Sequence, residues 1–268
     1  DATLSGTPSI LGLLGADTAT VTGAVSAGTF ATMNVGTGIA VTANLAGLSL
    51  SNSNYYIAGL TSALSADITA APLTISGLSA ANKVYDRSNS ATITGTPVIA
   101  SGLLGTDVAT LSGSVTAGTF ATMNVGTGIA VTPNLGGLSL SNSNYYIANL
   151  SSSLSANITP ASVTISGLTA SNKVYDASNV ATLSGTPTIV GLISGDSASL
   201  TGSVTAVFAS TNVGTGIAIT PNVSGLTISN SNYQITGLQN SLTANITPAP
   251  LTITASNQAS FYTLPLNA

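Results

Sequence analysis

Few residues in this chain could do chemistry, and they cluster. "KVYD" occurs at 83–86 and again at 173–176 and holds two of the three cations, Lys83 and Lys173. On a strand, Lys83 and Tyr85 project to one side and Val84 and Asp86 to the other. A lysine in a Ser/Thr/Asn-rich unit has the ingredients of an isopeptide bond to an asparagine, assisted by a buried acid. Asn34, Asn52 and Asn54 recur along the chain and would supply the carboxamide. The plainer expectation is an edge-strand lysine that blocks edge-to-edge pairing.

A second group is acidic. Asp17, Asp107 and Asp196 sit in "GAD", "GTD" and "GDS" loops. Calcium takes about six to eight oxygens, several from carboxylates, and such loops offer only one or two acids each. The expectation is therefore an aspartate bonding nearby backbone amides in a turn. In "SNSNYY", Tyr55, Tyr145 and Tyr233 recur, whereas Gln234 stands where Tyr56 and Tyr146 fall in the other copies. Adjacent strand residues face opposite sides, so the recurring tyrosine is predicted to be packed and its neighbour to lie outside.

"NVGTG" places two glycines just before a strand, with no helix after it and no G-K-[ST], which reads as a tight turn rather than a phosphate cradle. Asn149, Asn157, Asn222 and Asn245 head N-x-[ST] triplets, expected by chance in such a composition. Without histidine no Ser-His-Asp triad can be drawn. No catalytic, cofactor-binding or metal-ligating residue is assigned, and no enzyme activity is expected.

Composition narrows the classes further. The 268 residues include no Cys, His or Trp, and only 4% are charged, against about 25% in ordinary domains. Lys83, Arg87 and Lys173 cannot make the basic patch that nucleic acid needs. Cysteine-free, the chain has neither disulfide staples nor thiolate metal sites. No apolar run of about 18 residues supports a transmembrane helix, and no targeting signal opens the sequence, although one would fit in a longer parent.

The elements that must carry these residues repeat. "ATMNVGTGIAVT" at 31–42 returns letter for letter at 121–132 and as "ASTNVGTGIAIT" at 209–220. These copies lie 90 and then 88 residues apart, and "ATLSGTP" at 2–8 likewise returns as "ATITGTP" at 91–97 and as "ATLSGTP" at 181–187. That spacing exceeds the 20–50 residues of common solenoids and matches a small domain, so tandem domains are favoured over a continuous β-helix.

Within a unit the apolar period is two. Ala109, Leu111, Gly113, Val115 and Ala117 fall on one face of 108–117, as in the copies at 18–27 and 197–206, which predicts a half-buried antiparallel strand. "GIAVT" puts Ile39 and Val41 inward. Further strands are expected at 73–79, 82–86, 91–100, 136–140, 144–149 and 153–159, and no segment has a helical pattern. The expected fold is all-β: tandem antiparallel β-sandwich (Ig-like) domains of about 90 residues forming an elongated rod. Short joints at "ITAAPLTI", "ITPASVTI" and "ITPAPLTI" divide the chain into an N-terminally incomplete first repeat (1–71), a second (72–160), a third (161–249) and the start of a following module (250–268).

Taken together, "KVYD", the "ATLSGTP" strand, the "GD"-type loop, "NVGTG", the "NY" element and the closing "ITPAPLT" resemble the YDG repeat of filamentous-haemagglutinin-like secreted bacterial adhesins. The resemblance covers almost the whole chain. It implies secreted or surface stalk proteins built of tandem β-domains, without catalysis. The usual "YDG" reads "YDR" at 85–87 and "YDA" at 175–177, and Ser260, Phe261, Tyr262 and Thr263 stand where a further "KVYD" would fall.

Two functions follow as expectations. The first is an extracellular stalk or fibre at the cell surface, whose scarce charge leaves little repulsion between copies and whose partners are copies of itself. Any glycan or cell-surface partner is then expected through parts outside this chain. The alternative is a glycan- or ice-binding module, which near-identical repeats with few outward aromatics favour less.

Overall fold

A computed structural model describes residues 1–255. These residues are all-β, in several curled sheets, and the one helical element among them is a single 3-10 turn at Leu135–Gly137. Contacts group the chain into two compact units. One comprises 1–81, 90–119 and 130–155; the other comprises 82–89, 120–129 and the described residues from 156 onward.

In the first unit, Ala71–Ala80 is the central strand. It runs antiparallel to Ser90–Ser101 on one side and parallel to Tyr145–Leu150 on the other. Its inward residues Leu73 and Ile75 have no exposed surface, and burying such a side chain stabilises by about 1.5–3 kcal/mol. The same unit holds a sheet in the order Ala2–Thr3, Ala27–Phe30, Gly36–Ala43, Leu64–Ile68. Two-stranded ribbons pair Val21–Thr22 with Ser49–Leu50, and Leu111–Gly113 with Leu138–Leu140.

The second unit repeats the plan. Ala161–Ala170 lies between Leu183–Val190, antiparallel, and Tyr233–Leu238, parallel. A five-stranded sheet runs Lys173–Val174, Leu242–Thr247, Gly214–Asn222, Thr205–Phe208, Val180–Ala181. Its inner face packs Ala181, Ala206, Phe208, Ile219, Ala244 and Ile246 into one apolar cluster. Lys83–Val84 belongs to this unit and pairs in parallel with Ile158–Thr159.

Two glycine positions set this geometry. Gly77 and Gly95, both at positive φ, face each other where Ala71–Ala80 and Ser90–Ser101 cross. A Cβ on either would run into the other strand's backbone carbonyl, so the crossing accepts only glycine. Gly38, the second glycine of "NVGTG", adopts φ 61° at the register shift between Gly36 and Ile39. Its amide donates to the Asp67 carboxylate at 2.8 Å, which closes the bulge.

Several expectations hold. Val41 is buried, Tyr145 and Tyr233 are 5% and 3% exposed, and Tyr56 and Tyr146 are 84% and 50% exposed. Two differ. The pairing is not purely antiparallel: the strand that opens each later repeat pairs in parallel with one near its end, more than 70 residues on, where no hairpin dictates direction. The predicted strand 108–117 is broken, because Gly113 at φ 94° turns the chain between Leu111–Gly113 and Ala117–Phe120. The segment around Ser260–Thr263 lies outside the described residues.

Candidate functional site

The charged motif folds locally into a closed turn. Lys83 Nζ lies 2.6 Å from Asp86 Oδ1 and also donates to the carbonyl and hydroxyl of Ser88. Lys173 repeats this with Asp176 at 2.6 Å and Ser178. Each ammonium sits over an aromatic ring, Lys83 5.7 Å from the centroid of Phe120 and Lys173 5.8 Å from that of Phe208. Lys83 and Lys173 lie on edge strands, as expected, but the ammonium does not stand outside: Lys83 is turned inward, its side chain 17% exposed. Each amine is held at ion-pair distance by the aspartate of its own motif, and not by the asparagine expected as its isopeptide partner.

Burial works to raise the Asp86 pKa, but the hydrogen bonds from Lys83 and Ser88 outweigh it and leave the carboxyl below its ordinary value. The hydrogen bond from Lys173, with that from the Ser178 amide, lowers Asp176 to about 2. The residue after each aspartate takes a left-handed conformation, Arg87 at φ 64° and Ala177 at φ 62°. That is the position where the resembling motif has glycine, and non-glycine residues hold it under strain.

The acidic loops have distant partners. Asp17 accepts from the Tyr55 hydroxyl at 2.7 Å, Asp107 from Tyr145 at 2.7 Å, and Asp196 from Tyr233 at 2.6 Å. Each phenol oxygen in turn accepts from a loop amide, that of Leu14, Leu104 or Ile193. The expectation of a carboxylate bonding amides in its own turn is thus replaced by a tyrosine some 38 residues on. Among the described residues no three metal-ligating side chains come together.

Where the second repeat meets the third, these elements combine. Tyr85 of the second repeat donates to Asp196 of the third at 2.9 Å, on the same oxygen that Tyr233 uses. The two rings meet edge to face, centroids 5.5 Å apart at 78°. Arg87 Nε stands 3.2 Å from the other Asp196 oxygen, and the guanidinium donates to the Ser194 carbonyl at 2.7 Å. Gly195 leaves the room this needs, since a Cβ there would strike the guanidinium. Burial first, then the bond to Asp196, raises the pKa values of Tyr85 and Tyr233. Asp196 is lowered, chiefly by the bond from Tyr233 and also by Tyr85 and Arg87. At neutral pH the phenols stay protonated and the carboxylate ionised, which suits a latch.

A second arm joins consecutive repeats at both boundaries. Asn144 donates through its amide nitrogen to Asn34 at 3.0 Å and accepts from the Val35 amide at 2.9 Å. Asn232 does the same with Asn124 at 3.1 Å and Val125 at 2.9 Å. "NVGTG" of one repeat is thus read by the "NSNY" of the next. Asn82 and Asn172, just before each "KVYD", accept from the amides of Asn157 and Asn245 and fix the short parallel pairing. Asn157 and Asn245 also bind the Gly128 and Gly216 amides, so these two sequon asparagines have structural work. Tyr175, the third-repeat counterpart of Tyr85, is 40% exposed, against 4% for Tyr85.

Residues 69–153 and 159–242 each match the YDG domain. No curated protein and no solved structure matches the chain.

Proposed function

The chain belongs to the YDG domain family, matched over well more than half its length, and on that footing we propose that it is a repeat region of an extracellular adhesin or surface filament of the filamentous-haemagglutinin kind. It acts as a stalk or fibre and associates with copies of itself. The observation that carries this reading is the repetition of one joint. Asn34 with Asn144 and Asn124 with Asn232 are equivalent bridges set 110 and 108 residues apart in sequence. A joint that recurs from repeat to repeat lets such modules be added without redesign, which is what a spacer requires.

The joint is also short. Only Pro160 separates Leu154–Thr159 from Ala161–Ala170, so little chain is free to swivel. Gold-labelled antibody against the chain, applied to intact cells that produce it, tests the reading. Surface labelling along thin projections is expected. Labelling that appears only after permeabilisation overturns it.

A further inference from the structure

One turn of this chain is built in two mirror-image forms. Each aspartate of the acidic loops closes a four-residue turn, the Asp17, Asp107 and Asp196 amides donating to the carbonyls of Leu14, Leu104 and Ile193. The two central residues are Gly15 and Ala16 in the first repeat and Gly105 and Thr106 in the second, but Ser194 and Gly195 in the third. Gly15 and Gly105 have φ 56°, so positive φ falls on the second position of those turns, whereas Gly195 at φ 91° puts it on the third position. The first arrangement is a type II′ turn and the other its mirror image, type II. Moving the glycine by one place thus turns the central peptide over. The Ser194 carbonyl leaves on the face opposite to that of Gly15 and Gly105.

That carbonyl is the one Arg87 finds. The guanidinium donates to it at 2.7 Å, stands 3.2 Å from the Asp196 carboxylate, and lies against the α-carbon of Gly195, where a Cβ would strike it. The other contacts between the second and third repeats do not tell one repeat from another. Every repeat offers an aspartate bound to its own tyrosine, Asp17 with Tyr55, Asp107 with Tyr145 and Asp196 with Tyr233, so Tyr85 would meet the same acceptor on any of them. The asparagine arms are the same at both boundaries. Near-copies joined by near-identical contacts invite the wrong repeats to dock, a characteristic failure of repeat proteins. Arg87 breaks the likeness: it is the chain's only arginine, and Ala177 stands at its place in the third repeat.

We propose that Arg87 and the Ser194–Gly195 turn are a matched pair that selects the third repeat as the neighbour of the second. The partner that Arg87 fits is a type II turn with glycine directly before aspartate. The guanidinium takes the outward carbonyl and the carboxylate together, a fork that suits two oxygens held at fixed spacing. It rejects the type II′ turns of the first and second repeats, whose central carbonyl leaves on the wrong face and which carry Ala16 or Thr106 at the place of Gly195. Discrimination of this kind rests on the misfit with the wrong partner as much as on the fit with the right one. The selection acts between repeats of one chain, so it holds wherever the protein resides and whether or not it binds copies of itself.

Exchanging the turn in the 268-residue chain tests it. Ser194→Gly together with Gly195→Thr installs the turn that the second repeat already closes around Asp107 and Tyr145. The third repeat should therefore keep its own Tyr233–Asp196 bond and an unchanged circular dichroism. The single arginine gives one Nε–H resonance, and its exchange with water should be at least about tenfold faster with the exchanged turn than in wild type, since a hydrogen bond to a charged group is lost. In urea unfolding, the exchanged turn should lower the folding constant at least about tenfold when Arg87 is present. In the Arg87→Ala background, which puts the third repeat's own residue at that place, the same exchange should lower it less than about threefold. Equal losses in the two backgrounds overturn the proposal, and so does an arginine resonance whose exchange the turn does not alter.

Discussion

The phenol of Tyr85 donates to the carboxylate of Asp196, 111 residues further along, so that an aspartate already bound to its own repeat's tyrosine also holds the tyrosine of the repeat before it. Tyr85→Phe removes that hydrogen bond and should cost about 1 kcal/mol, while Tyr85→Ala also removes a buried ring and should cost about 3–5 kcal/mol. Tyr175→Phe, at the exposed counterpart, should stay within about 0.5 kcal/mol. Urea unfolding of the three variants checks the order. Equal midpoints would mean that the joint between these repeats carries no stability.

Stability should fall at both extremes of pH. Asp86, Asp176 and Asp196 are held below the ordinary carboxyl value in the folded chain. Their contribution is present above the unfolded value of about 3.9 and is lost as pH falls through the folded values, which for Asp176 is about 2. Tyr85, Tyr145 and Tyr233 are raised, so their contribution is complete below the unfolded value of about 10 and is lost as pH rises through the folded values. Melting temperature should therefore be level from about pH 5 to 9, decline between about pH 4 and 2, and decline again above about pH 10. Asp196→Asn should shallow the acid limb. A flat profile down to pH 2 would contradict the assignment.

The two positions of the tyrosine element should differ sharply. Tyr233→Ala empties a site 3% exposed and should cost about 3–5 kcal/mol. Gln234→Ala in the same strand, and Tyr146→Ala at its exposed counterpart, should each change stability by no more than about 0.5 kcal/mol. Thermal melts of the three variants decide it.

Gly95→Ala and Gly6→Ala compare a filled crossing with an empty one. Both glycines are at positive φ, so both variants meet backbone strain, but only at Gly95 would the new methyl collide with the Gly77 carbonyl. Gly95→Ala should be the more damaging by about 1–3 kcal/mol, the usual cost of overpacking. Equal losses in chemical denaturation would show that the crossing tolerates displacement.

Sequence made the repeat, the all-β class and the inward Tyr145 and Tyr233 legible, because a period of two and a recurring residue are local signals. It did not reveal what those residues meet. Asp107 and Tyr145 are 38 positions apart, and Tyr85 and Asp196 are 111 apart. Nothing in a short motif announces a partner supplied by the next repeat. The alternation of "KVYD" was legible, with Lys83 and Tyr85 inward and Val84 and Asp86 outward; what it did not reveal is that the chain turns at once, so that Asp86 reaches back to the amine. The near-identity of "NVGTG" in all three repeats was a signal of contact between repeats, since the loop is matched by the equally repetitive "NSNY".

Parallel pairing between the opening and closing strands has a mechanical meaning. A pull on the start of Ala71–Ala80 and on the end of Tyr145–Leu150 drags the two strands in opposite directions along their common axis. The hydrogen bonds between them then bear the load together, in shear, and do not peel open one after another. Ala161–Ala170 with Tyr233–Leu238 is arranged alike. Tension applied between those two ends of a repeat is thus resisted through several bonds at once.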